Sequence, residues 1–204
     1  MKLYGINDMA RADCAGCEGC SVCCRGMGDT IVLDPLDSYR LTKRLHKSFE
    51  EMLDDCIGLH VEEGVILPHL LMTGKDAYCV FLNGEGRCSI HEARPGLCRI
   101  FPLGRSYEGG ELRYFLLDEC PKENKRKVKI YKWLDTEELP KNQQFLRLWH
   151  TLRKKLREKA AANPEKCKEM NLLLLHLFFV LPYEEEIDFY SQFEARYKEA
   201  LIKL

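Results

Sequence analysis

The chain has 204 residues, of which 46% are hydrophobic and 31% charged, with 31 Lys and Arg against 32 Asp and Glu for a formal net charge of -1. That length supports one large domain or two small ones with a real apolar core, in a composition ordinary for a soluble globular protein. The balanced charge excludes a polycation and gives no global reason to expect nucleic acid or an anionic membrane as partner.

Residues 1–8 lack the apolar core of a secretion signal. The most apolar run, residues 172–181, carries His176 and is too short to cross a hydrocarbon layer of about 30 Å. A buried helix there, and a cytoplasmic location, are expected. Residues 1–33 are rich in Gly, Cys and small polar residues and read as a loop wrapped around something. A helix is predicted over about 35–56. Asp34 caps it, Pro35 suits its first position, Asp37 supplies the acid of a capping box, and Leu41, Leu45, Phe49 and Leu53 recur at helical spacing beside Met52. A less regular segment leads to a small hairpin, with residues 78–82 and 87–90 flanking the turn-rich 83–86. His91 to Pro95 then suit a short helix or turn, limited by Pro95.

A second hairpin is expected from residues 103–108 and 111–117 about Gly109-Gly110, and Cys120-Pro121 closes the region. Lys122, Lys125, Arg126, Lys127, Lys129 and Lys132 form a basic run. From about residue 142 the chain reads as helical, with a stripe of Phe145, Leu148, Trp149, Leu152 and Leu156, then the run 172–181 and a last helix ending near Leu204. Pro164 and Pro182 are the natural breaks. The fold class is α+β: a small cysteine-rich metal-binding core with short hairpins (1–133), and a helical C-terminal extension packed on it (134–204).

Eleven cysteines set this chain apart. Their odd number, the lack of an export signal and the adjacent Cys23-Cys24 argue against a disulfide framework and for metal ligation. Cys14, Cys17, Cys20 and Cys23 fall at steps of three, with Cys24 alongside. Thiolates so spaced in a tight loop converge on one metal centre, and Gly16 and Gly19 let the backbone turn closely and present amides to sulfur. Three cysteines two residues apart also occur in iron–sulfur proteins, with a fourth before a proline, and Cys120-Pro121 is the candidate for it. Zinc and iron–sulfur sites share four-cysteine ligation, so both metals stay open. Cys79, Cys88 and Cys98 lie on or beside the first hairpin. The nine thiols suffice for two four-thiolate sites or one larger cluster. Crowded thiolates repel without cations, so metal is expected to be a condition of folding, with Arg25, Arg94, Arg99 and Lys122 as candidates to offset excess charge.

Cys17-x2-Cys20-x2-Cys23-Cys24, followed by Cys79, Cys88, Arg94-Pro95-x2-Cys98-Arg99-x-Phe101-Pro102 and Cys120, resembles the YkgJ-type cysteine-cluster family over roughly residues 14–121. Those proteins are described as zinc- or iron-chelating, and related modules occur in flagellin lysine N-methylases. The resemblance implies metal binding by Cys17, Cys20, Cys24, Cys79, Cys88, Cys98 and Cys120, with Cys23 alongside. The methylase relatives imply an iron–sulfur cluster and S-adenosylmethionine-dependent methyl transfer to protein lysine. Two departures stand out: Cys14 adds a ligand candidate, and His91 stands where an aromatic residue is more usual. The chain is short for such a methylase and has no Gly-rich strand-to-helix motif for the cosubstrate, so that activity is not carried over.

The expected function is therefore cysteine-ligated metal binding, with an iron–sulfur cluster preferred over Zn2+ and a structural or regulatory role for the metal. The alternative is a metal-dependent enzyme of protein modification, methyltransferase-like, or a metal-handling protein. No Ser/His/Asp set or carboxylate pair stands at convincing spacing. A protein partner fits the helical tail, whereas the basic run beside Tyr131 and Trp133 reads as a solvated face more readily than as a nucleic-acid site. Cys56 reads as a buried apolar residue, Cys167 as a non-ligand, His91 as a packing residue and His176 as a core histidine.

Overall fold

The computed structural model describes residues 1–14 and 20–204. Residues 9–13, read from the sequence as loop, form strand β1 (Met9–Asp13). Its small side chains Ala10 and Ala12 turn inward, while Met9 and Arg11 face solvent. It pairs antiparallel with β8 (Arg126–Lys129), setting Met9 opposite Lys129 and Ala10 opposite Val128. Part of the basic run is thus a strand whose Arg126, Lys127 and Lys129 stay exposed.

The predicted capping box at the first helix is present. Asp34 accepts from the Asp37 amide at 2.9 Å and Asp37 accepts from the Asp34 amide at 3.1 Å. The single helix expected over 35–56 is, however, two. Helix α1 (Pro35–Leu45) ends where His46 takes a left-handed φ of 53°, and α2 (Phe49–Leu53) begins with a second capping box between Ser48 and Glu51. The Ser-x-x-Glu spacing at 48–51 was the readable signal for that restart.

The segment read as less regular holds the longest strand pair described: β2 (Ile57–Glu62) and β3 (Val65–Leu70), in register from Ile57 opposite Leu70 to Glu62 opposite Val65. Glu63 and Gly64, with φ of 50° and 81°, form its two-residue turn, the doubly left-handed kind that matches strand twist. A Cβ on Gly64 would also stand 2.9 Å from the Ala160 side chain. Gly64→Ala is expected to lower stability by about 1–2 kcal/mol from the backbone alone, read as a fall in urea midpoint.

The hairpin predicted over 78–90 is largely replaced. β5 (Tyr78–Cys79) pairs backward with β4 (Met72–Thr73), and only a bridge between Leu82 and Cys88 closes the 83–86 turn. There the Asn83 amide donates to Arg87 O at 2.9 Å and the Ser89 amide to Phe81 O at 2.8 Å, and the Asn83 carboxamide, accepting from the Arg87 amide at 2.8 Å, reinforces this short pairing. A 3-10 turn (His91–Ala93) and helix α3 (Gly96–Ile100) follow. The second hairpin stands as expected, β6 (Leu103–Ser106) against β7 (Arg113–Leu116), turned by Gly109 and Gly110 with φ of 65° and 80°.

Beyond α4 (Ile130–Leu134), the C-terminal helices are α5 (Leu139–Ala162), α6 (Cys167–Leu175) and α7 (Phe189–Lys203). The predicted stripe faces inward: Phe145, Trp149, Leu152 and Leu156 are buried, with Leu148 half-buried. Trp149, Phe178 and Phe193 pack ring against ring beneath α5. Helices α5 and α6 lie on β3. The Asn171 carboxamide grips the β2–β3 turn by donating to Gly64 O at 2.9 Å and accepting from the Ile66 amide at 2.8 Å. Glu62 pairs with Arg153 and Arg157 of α5, each at 2.7 Å.

The run 172–181 is amphipathic rather than wholly buried. Leu174, Leu177, Phe178 and Phe179 face the core, whereas Leu172 and His176 are exposed. His176 is thus not the core histidine expected from its apolar neighbours. It opens a π-helical turn (His176–Val180), on the outer side of a surface-lying helix. Among the described residues, no helix is long and apolar enough to cross a membrane.

Candidate metal centre

Four separate stretches of chain bring six thiols to one cavity of about 130 Å³, lined by Cys20, Cys23, Cys24, Cys79, Cys88 and Cys98. The first three come from residues 20–24, which close a 3-10 turn (Val22–Cys24) by the Cys24 amide donating to Ser21 O at 2.9 Å. The turn is docked beside β5 by the Gly26 amide donating to Ala77 O at 2.8 Å and by the bridge between Arg25 and Tyr78. Ladder bonding to Met72 fixes Cys79, and the bridge to Leu82 fixes Cys88. Cys98 sits in α3, whose Gly96 amide donates at 2.7 Å to the buried Asp37 carboxylate. Ile31, Leu70, Phe81, Ile90 and Phe101 give the rest of the wall an apolar part, and Arg87, His91 and Arg94 a polar one. Trp133 closes it while its indole N–H donates to Ile100 O at 2.9 Å.

The thiols sense one another. Cys23 is pushed well above the ordinary thiol range by its bond with Cys24, then by burial. Burial raises Cys79, Cys88 and Cys98, and mutual repulsion adds to it: Cys88 and Cys23 act on Cys79, Cys23 on Cys88, and Cys79, Cys23 and Cys88 on Cys98. Arg94 pulls Cys23 and Cys88 the other way. Its Nε is buried and bonded to none of the described residues. His91 also lines the cavity, and burial followed by Arg94, Arg87 and Arg99 keeps its imidazole below the usual value. Cys23, Cys79, Cys88 and Cys98 thus hold their protons more tightly than a free thiol until a cation replaces them, and the donor set suits a thiophilic metal. Among the described residues, no three His, Cys, Asp or Glu side chains already stand at the spacing that holds a single ion.

Six of the nine predicted ligands therefore share the cavity. Cys14 and Cys120 are buried at the end of β1 and ahead of β8, and neither lines it. Cys17, with Gly16 and Gly19, lies outside the described residues. Cys56 is buried in the core as expected, its thiol pushed up to about 12 by burial and then by Asp55. Cys167 is half-buried on α6, with its sulfur 3.7 Å from Gly64 O. Of the predicted counter-charges Arg94 reaches the cavity, whereas Arg25 bonds Ser21 at 3.1 Å and Lys122 is exposed. Arg87 lines it unforeseen, although its place beside Cys88 was visible.

Behind the cavity, Asp34 and Asp37 are buried side by side, with Arg105 3.9 Å from Asp34. Burial pushes both carboxyls up, Asp37 to about 7 with the charge of Asp34 adding to it, against the pull of the Gly96 and Asp34 amides. A raised carboxyl contributes stability that is complete below its unfolded value near 4 and is lost as pH rises through the folded value. Wild-type protein is therefore expected to lose stability relative to Asp37→Asn as pH rises from about 4 to about 7, a trend that paired urea titrations would measure.

A protein-family model described as "CxxCxxCC: Putative zinc- or iron-chelating domain" matches residues 16–120. No curated protein and no solved structure matches the chain.

Proposed function

Since the chain belongs to the CxxCxxCC family of zinc- or iron-chelating domains, we propose that Cys20, Cys23, Cys24, Cys79, Cys88 and Cys98 supply the metal-binding thiolates. We propose further that they hold an iron–sulfur cluster in preference to zinc, in a structural or regulatory role. The convergence of six thiols on one cavity carries this reading. A single tetrahedral ion takes about four sulfurs, whereas a cluster with its own sulfides fills a larger space and tolerates spare thiols. Cys17 belongs to the same run as Cys20 and Cys23 and joins the proposed set. Cys14 and Cys120 do not. A bound iron–sulfur cluster supplies a one-electron redox centre, and a zinc ion supplies a redox-inert clasp.

A structural role follows from how little regular structure joins the ligand-bearing stretches: a 3-10 turn, a two-residue strand, a single bridge and a five-residue helix. Metal–sulfur bonds would cross-link them. Of the six thiols, all but Cys79 are only half-buried, which favours metal handling as the second reading. Rapid transfer of metal to a competing chelator from folded protein would select it.

Metal and acid-labile sulfide stoichiometry, with the visible spectrum, on protein purified without oxygen tests the cluster. Iron with matching sulfide is expected, and zinc without sulfide or colour would overturn the preference. Because thiolates rather than thiols ligate metal, and Cys23, Cys79, Cys88 and Cys98 hold their protons above the ordinary thiol range, metal uptake should release protons and affinity should rise with pH. Calorimetry in buffers of different ionisation enthalpy would count those protons.

A further inference from the structure

Two histidines have no part in the thiol cavity. His60 on β2 and His69 on β3 are diagonal neighbours on one face of the hairpin, since His60 stands opposite Leu67 and His69 opposite Gly58. Leu70, next along β3, lines the thiol cavity, and strand alternation turns His69 to the other face. The missing side chain of Gly58 makes room for the His69 ring: a Cβ there would lie 2.7 Å from its Cε1.

The two Nδ1 atoms are 3.2 Å apart, and the ring centroids 5.1 Å apart at 67° between planes. Two imidazoles bound to one ion at about 2.05 Å, with about 105° between the bonds, place their nitrogens about 3.3 Å and their centroids about 5.1 Å apart. Both separations fit lone pairs converging on a common point. In the absence of an ion the same 3.2 Å separation holds a hydrogen bond between the two Nδ1 atoms, which a cation would replace.

We propose that His60 and His69 form a second metal site, chelating a divalent first-row ion of the nickel, copper or zinc kind through both Nδ1 atoms, with water completing the coordination. Each ring then carries its proton on Nε2, so no net proton is lost when both are neutral. Burial and the proximity of His60 keep His69 below the ordinary histidine value, and the opposing influence there is the Asp29 carboxylate, a charge that favours a cation. Imidazole ligands suit this end of the divalent series. The site is independent of the metal assigned to the thiols and stands or falls separately.

The test uses protein carrying its thiol-bound metal, labelled with 15N in histidine, and titrated with Ni2+. One equivalent should bind beyond the resident metal, with selective perturbation of the His60 and His69 ring resonances. Binding should weaken at least tenfold in His60→Gln and in His69→Gln, and also in Gly58→Ala, where the added methyl displaces the His69 ring. Equal binding in the glutamine variants, perturbation centred on His46, His91, His150 or His176, or nickel–thiolate absorption in place of imidazole shifts would each overturn the site. Should a variant fail to fold, the wild-type resonance map still decides.

Discussion

Cys98→Ser is expected to release most of the bound metal and to lower the melting temperature of the loaded protein by about 8–16 °C. A thousandfold loss of metal affinity corresponds to about 4 kcal/mol, and a chain of this size shifts by about 2–4 °C for each kcal/mol. The size of the effect follows from position. Cys98 lies in α3, and its sulfur is within electrostatic reach of Cys23, Cys79 and Cys88. After chelator treatment the ranking should collapse. The side chain faces a cavity rather than packed atoms, so stripped variant and stripped wild type should agree within about 1 kcal/mol. Paired thermal melts and metal analysis, with and without chelator, separate a ligand from a packing residue. An equal loss in both conditions would remove Cys98 from the metal centre.

Arg196→Ala should destabilise the protein by about 3–4 kcal/mol with no change in metal content. Arg196 is 8% exposed, and its guanidinium donates to Leu177 O at 2.9 Å, Leu181 O at 2.7 Å and Pro182 O at 2.7 Å. It also lies 3.6 Å over the Tyr183 ring. Those carbonyls end the π-helical turn, where helix geometry leaves acceptors without amides, and a cation there meets the negative end of the peptide dipoles. Truncation would leave one buried and two part-buried acceptors without their donor and a void beside the ring. Arg196→Lys keeps the charge but loses the fork, so it should recover only part of the loss. Chemical denaturation of the three proteins gives the comparison, and a Lys variant as stable as wild type would show that charge alone suffices.

Signals carried by short stretches of sequence were readable. The Asp34–Asp37 capping box, the Gly109-Gly110 turn and the Phe145–Trp149–Leu152–Leu156 stripe each depend on residues a few positions apart, and all three stand in the structure. Signals that depend on partners far along the chain were not. β1 carries little strand character of its own and exists because residues 126–129 complete its ladder. The β2–β3 turn escaped notice because Glu63, rather than Asn or Asp, precedes Gly64 in the left-handed region. The first helix seemed continuous because Leu45 and Phe49 keep helical spacing across the break at His46.

The thiol set was visible as composition and order, and Cys79, Cys88 and Cys98 do meet the first run. That Cys14 and Cys120 stay off the cavity depends on how β1 and β8 lie. The His60–His69 pair needs the hairpin register before its two rings can be seen to meet.

The β1–β8 ribbon also has a consequence in time. Its strands lie on either side of every cysteine that lines the cavity, 113 residues apart from Asp13 to Arg126. At synthesis rates of about 5–20 residues per second, β1 waits on the order of ten seconds for its partner to be made. All six cavity thiols leave the ribosome during that wait, before the ribbon can close behind them. Metal supplied during synthesis therefore meets a segment whose two ends are not yet tied together, whereas metal supplied afterwards meets one whose ends the ribbon has already joined.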